Sequence, residues 1–150
     1  MTPTSTPERL QHIVQLFNGA PKELKIQALL EYSKKLPPLP PYLEEHREEL
    51  EQVPECQSPF FLKSEVDDNN IVTLYFLVPQ EAPTTRGFAA ILAEGLNGAT
   101  ADEILSTPND FYLKMGLAEA ISSLRLRGMG AILARMKRQI AEAVATRENQ

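Results

Sequence analysis

One residue in this sequence carries a side chain suited to soft nucleophilic chemistry. Cys56 is the sole cysteine among 150 residues and lies in Val53-Pro54-Glu55-Cys56-Gln57-Ser58. A thiolate attacks sulfur readily when a nearby cation or N–H group favours the ionised form. Free cysteine is also common as a small buried hydrophobe, so residue type alone leaves both readings open. Its setting favours chemistry: Pro54 and Ser58-Pro59 mark a loop ahead of a strand, and loops carry function more often than strand interiors do. Other reactive patterns lack support. His12 falls in a helical stretch and His46 in an acidic run, with no Cys/His cluster of zinc-site spacing, so no metal ligand is expected. The sequence has neither a phosphate-cradling glycine loop followed by Lys-Ser/Thr nor a G-x-S-x-G elbow. Carboxylates are plentiful, but sequence does not pair them, so a two-carboxylate hydrolase gains no support.

The elements that must position this loop read as helices around a hairpin. Thr6 and Pro7 read as N-cap and first residue of a helix whose apolar face is Leu10, Ile13, Val14 and Phe17, closed by a left-handed residue at Asn18-Gly19. A second helix is expected from Pro21 to about Leu36, with Ile26, Leu29 and Leu30 facing inward. Pro37-Pro38-Leu39-Pro40-Pro41 fixes an extended connector, and the acidic Tyr42–Gln52 reads as a short exposed helix. Phe60-Phe61-Leu62 and Ile71–Val78 flank the turn residues Asp67-Asp68-Asn69-Asn70, which predicts a β-hairpin ended by Pro79. A helix near Thr84–Leu96 follows, then a capping box of Thr100 and Glu103, then a short helix opened by Thr107-Pro108 and carrying Phe111 and Met115. The final helix, roughly Leu124–Ala145, repeats Met129, Ile132, Leu133, Met136, Ile140 and Val144 at helical intervals. Helices, a small antiparallel sheet, then helices make an α+β fold rather than a parallel βαβ one, with residues 1–150 as a single domain.

Composition excludes several classes of function. The chain is 43% hydrophobic and 23% charged, as folded proteins are. One cysteine permits no internal disulfide, which suits a reducing compartment. A net charge of −5 argues against nucleic-acid binding dominated by phosphate contacts. No apolar run approaches the roughly 20 residues of a membrane helix, and MTPTSTPERL shows no basic region leading into an apolar core, so no secretory signal and a cytoplasmic location are expected.

Cys56-Gln57-Ser58, preceded by Val53 and followed by Phe60-Phe61-Leu62, resembles the signature of the SufE family, sulfur acceptors of iron–sulfur cluster assembly. The likeness runs from about Leu10 to Ala143. It includes Tyr32–Pro40 ahead of the proline segment, Arg86-Gly87-Phe88 opening a helix, the capped Thr100–Leu105, and Leu117 with Ser123-Leu124-Arg125 before the last helix. Two departures stand out. Glu55 replaces the glycine usual before the cysteine, adding a negative charge beside a sulfur that must ionise. Where the family tends to read His-Leu-Ser-Pro-x-Arg, this chain reads Ala120-Ile121-Ser122-Ser123-Leu124-Arg125, keeping only the arginine of the His, Pro and Arg.

The resemblance implies a SufE-like fold and a carrier role. A SufS-like, pyridoxal-phosphate cysteine desulfurase would supply persulfide sulfur to Cys56 and be stimulated in doing so. The sulfur would pass to a SufB-like scaffold, with no cofactor in this chain, no nucleic acid and no membrane. It further implies Gln57 and Arg125 as binding residues. Arg125 is expected to favour the Cys56 thiolate by offsetting Glu55, or to pair with a partner carboxylate. The Cys56 loop is expected to shield the sulfur at rest, with Phe60 and Phe61 as one wall. The alternatives are a single-thiol redox sensor or mixed-disulfide protein, and a structural domain with an inert cysteine.

Overall fold

The computed structural model describes residues 6–148; residues 1–5 and 149–150, within the span expected as one domain, lie outside the described residues. Helix α1 (Glu8–Asn18) buries Leu10, Ile13 and Phe17. It starts one residue later than expected: Pro7 is the N-cap, its carbonyl taking the first helical bond from the Gln11 amide, while the Thr6 carbonyl accepts from Gln11 Nε2 at 2.6 Å. It also ends without a left-handed residue, since Gly19 has φ −80°.

Helix α2 (Lys22–Ser33) is shorter than predicted; Leu29 is buried as expected, but the buried face continues through Lys25 and Ser33. Ile26 and Leu30 point outward, contrary to expectation. The reason lies in the partner. Helix α4 (Pro83–Leu96) brings Gly87 so close that a Cβ there would sit 2.2 Å from the Leu29 carbonyl oxygen. Backbone against backbone, rather than large apolar side chains, therefore sets the rotation of α2.

The proline segment leads into a four-residue helix, α3 (Pro41–Glu44), and a 3₁₀ turn at Arg47–Glu49. The expected helix over Tyr42–Gln52 does not persist. Its last two residues form strand β1 (Glu51–Gln52), paired antiparallel with β2 (Phe61–Val66), which pairs with β3 (Val72–Leu77). Among the described residues the sheet has three strands in the order β1-β2-β3. Asp67 Oδ1 accepts from the amides of Asn69 and Ile71, and Asn70 takes φ 64°, so the hairpin turn forms where Asp and Asn were read as turn formers.

One face of the sheet buries Leu62, Ser64, Val72, Leu74 and Phe76. β3 packs on α4, and β2 packs on the long helix α6 (Ser123–Glu148). The exposed edge of β3 is blocked, the Asn97 side chain accepting from the Leu74 amide at 2.7 Å and the Ala99 carbonyl from that of Val72. The Thr100–Glu103 capping box is present at α5 (Ala101–Leu105). The stretch after Thr107-Pro108 is 3₁₀ helix at Phe111–Met115 and Leu117–Glu119, and the Ser122 hydroxyl accepts from the Arg125 amide as α6 begins. The architecture is α+β, a small antiparallel sheet packed against helices.

Candidate functional site

The loop between β1 and β2 is tied at both ends by the strand pairing: the Val53 amide donates to the Phe60 carbonyl, and the Cys56 amide turns back to the Val53 carbonyl. This folds residues 53–56 into a tight bend and aims the half-buried Cys56 at α6. Its Sγ lies 3.8 Å from the Gly128 carbonyl oxygen. A Cβ on residue 128 would come within 3.3 Å of Sγ and 3.5 Å of the Cys56 Cα, so a glycine in mid-helix is what lets the loop settle here. Glycine inside a helix costs about 1 kcal/mol relative to alanine, a local cost that close approach of the loop explains.

Beside the sulfur is a small cavity lined by Cys56, Gln57, Ser58, Thr84, Thr85 and Arg125, with Gly128, Met129 and Ile132 at its base. About 10 Å³ is open to the centre of a water-sized sphere, room for roughly one water. Cys56, Gln57 and Arg125, singled out on sequence grounds, thus meet at one cavity. The apolar wall comes from Met129 and Ile132. Phe60 instead turns wholly into the core against Phe76, ring centroids 5.8 Å apart, and neither it nor Phe61 lines the cavity.

The electrostatics also differ from expectation. Burial, with the Glu55 carboxylate adding to it, pushes the Cys56 thiol up to about 11. The cation beside Glu55 is Arg135, not Arg125. Arg135 Nη2 lies 3.1 Å from Glu55 Oε1, and its Nη1 lies 2.8 Å from Glu51 Oε2. Glu51 in turn accepts from Arg138 and, at 3.1 Å, from Gln139 Nε2. Burial by itself raises the Glu51 carboxyl, but hydrogen bonds from Arg138, Gln139 and Arg135 outweigh it and hold that group at about 2. Arg125 is exposed and makes no side-chain hydrogen bond or ion pair among the described residues. Sequence reasoning missed Glu51, Gly128 and Arg135. The interior glycine was the available signal; the ion pairs span 80 residues or more and leave no local trace.

No group of three or more His, Cys, Asp or Glu suited to a metal occurs among the described residues. Their helices include none long and apolar enough to cross a membrane.

Fold and site together define an α+β protein that presents one thiol from a loop braced on its longest helix. Residues 11–140 match the SufE family model, described as an Fe-S metabolism associated domain. An uncharacterized SufE-like protein of Mycobacterium tuberculosis is 51% identical over 94% of this chain and 97% of its own length. The cysteine desulfuration protein SufE of Plasmodium falciparum is 26% identical over 86% of this chain and 52% of that protein. A solution structure of a hypothetical protein from Thermus thermophilus superposes with a TM-score of 0.82 at 45% identity, covering 93% of this chain and 98% of that one. The chain belongs to the SufE family, and with that to iron–sulfur metabolism.

Proposed function

We propose that this protein is a sulfur acceptor acting as one SufE-like domain: Cys56 takes persulfide sulfur from a SufS-like, pyridoxal-phosphate-dependent cysteine desulfurase, stimulates that enzyme, and hands the sulfur to a SufB-like scaffold. The observation that carries the reading is the sole thiol of a SufE-family chain held at a cavity of about one atom's size. In the transfer, the Cys56 thiolate attacks the outer sulfur of the desulfurase's cysteine persulfide. A bond forms between Cys56 Sγ and that sulfur, the enzyme's S–S bond breaks, and the enzyme's cysteine leaves as a thiolate that takes up a proton. No external oxidant or reductant is needed, because the sulfur moves at its existing oxidation level. The pyridoxal phosphate belongs to the partner, and the reducing cytoplasm suits the chemistry.

The raised thiol fits a resting state in which the sulfur is shielded and un-ionised, with docking shifting the loop and restoring the thiolate. It weighs against the redox-sensor reading, since sensor cysteines are low-pKa and accessible. Gln57 and Arg125, at the mouth of the cavity, are the side chains we assign to the partner's approach. The test is mass spectrometry of the protein after incubation with a desulfurase and free cysteine. One added sulfur on Cys56, absent from Cys56→Ser, is expected. An unmodified Cys56 under turnover overturns the proposal, and modification by oxidant alone favours the sensor.

A further inference from the structure

The loop that carries Cys56 is short of backbone anchors beyond Val53 and Phe60, yet it holds its sulfur tightly against a helix. What supplies the remaining hold is on its outer side. Glu55 precedes the cysteine, and its carboxylate meets the Arg135 guanidinium, which reaches across to Glu51 on β1. Arg135 lies seven residues along α6 from Gly128, two turns of helix, so one helix carries both the seat for the sulfur and the clasp for the loop. Glu51 keeps Arg138 and Gln139 as further partners, so β1 remains tied to α6 whether or not Arg135 is present. Glu55 has Arg135 as its one ion-pair partner among the described residues.

We infer that Arg135 is a positioning residue whose pairing with Glu55 latches the Cys56 loop shut against α6, and that a desulfurase opens the loop by drawing Glu55 or Arg135 into contacts of its own. The second half rests on the proposed function; the latch itself does not. Both ends of the pair are partly open to solvent, with side-chain exposures of 28% and 49%, so a docking protein can reach them. An ion pair of that exposure is weak enough to exchange quickly. A latch of this kind compensates for a non-glycine residue at position 55: the side chain that would encumber the loop becomes its fastening.

The experiment is the rate of Cys56 alkylation by iodoacetamide in the free, full-length protein, followed across pH. The variants are Arg135→Gln, Glu55→Gln, and Arg138→Gln as control. Arg135→Gln separates the latch from simple charge effects, because the two predict opposite signs. Removing the cation while Glu55 keeps its charge makes ionisation of Cys56 harder and slows alkylation if Arg135 acts only through its field. Opening the loop speeds alkylation and raises the high-pH plateau. The latch predicts an increase of about two- to fivefold, the range an ion pair of this exposure supports. It predicts a similar increase for Glu55→Gln and parental behaviour in Arg138→Gln. Slower or unchanged alkylation in Arg135→Gln, with circular dichroism showing an intact fold, overturns the latch. If Arg135→Gln is not folded, Glu55→Gln with an unchanged plateau does so instead. The readout needs no desulfurase, so persulfide transfer to Cys56 succeeds or fails independently of it.

Discussion

The ionisation of Cys56 governs when this thiol reacts, and its size is calculable. Burial and Glu55 carry the thiol from the ordinary 9.0 to about 11. Below both values, that displacement lowers the thiolate fraction about 100-fold, leaving about 3 in 10,000 molecules ionised at pH 7.5. A more basic thiolate is intrinsically more nucleophilic, and with a Brønsted slope of about 0.4–0.5 this returns a factor of roughly 6–10. Ionisation wins, so alkylation of the free protein at pH 7.5 should run about 10- to 16-fold slower than that of a small thiol with the ordinary value. Steric shielding slows it further. The assay is a stopped-time iodoacetamide series from pH 7 to 11.5, with quenched samples read by mass spectrometry and the fold monitored by circular dichroism. The rate should climb tenfold per pH unit without levelling until pH approaches 11, and the plateau relative to the small thiol, once divided by that factor of roughly 6–10 in nucleophilicity, then measures shielding. A profile that levels at or below pH 9, or parity with the small thiol at pH 7.5, would falsify the assignment of a buried, un-ionised resting sulfur.

Other perturbations test the frame around the site. Gly87→Ala places a Cβ 2.2 Å from a backbone oxygen that cannot rotate away, so a loss at the upper end of overpacking, about 3 kcal/mol or roughly 6–12 °C in Tm, is expected. Gly19→Ala meets only ordinary contact at φ −80° and should be neutral or stabilising by up to about 1 kcal/mol; thermal unfolding of the pair decides whether close approach or glycine itself matters. Glu51 is held low in the folded state, so its contribution is present above about 4.5 and lost as pH falls toward 2. Glu51→Gln should therefore flatten the acid limb of stability between those values in urea titrations, and an unchanged limb refutes the network. Arg125→Ala should weaken desulfurase affinity in a titration while leaving the Cys56 pH profile in place, because Arg125 has no part in the shift; movement of that profile returns Arg125 to the role expected from sequence.

Elements whose signals are local were legible in the sequence. The final helix announces itself because its apolar residues recur from Met129 to Val144 over about four turns, and the hairpin because Asp67 and Asn70 supply turn chemistry between β-rich runs. The Thr100–Glu103 box is read from two residues and found as read. What escaped is set by groups distant in sequence. Helix α2 shows apolar residues at Ile26 and Leu30, yet its rotation is decided by how closely Leu29 and Gly87 approach, and it buries Lys25 instead. Strand β1 is two polar residues that no propensity favours; Arg135, Arg138 and Gln139 clasp Glu51 to α6 beside its pairing with β2. The same holds at the site. Cys56 was visible as a lone thiol in a loop, whereas its placement depends on Gly128, which gives the sulfur a seat, and its loop carries Glu55, which pairs with Arg135. A glutamate beside a thiol, read alone, argues for an encumbered loop and a poor nucleophile. Paired with a cation two helical turns beyond the sulfur's seat, it becomes part of what holds the loop, and the cost to ionisation becomes a condition that docking can lift.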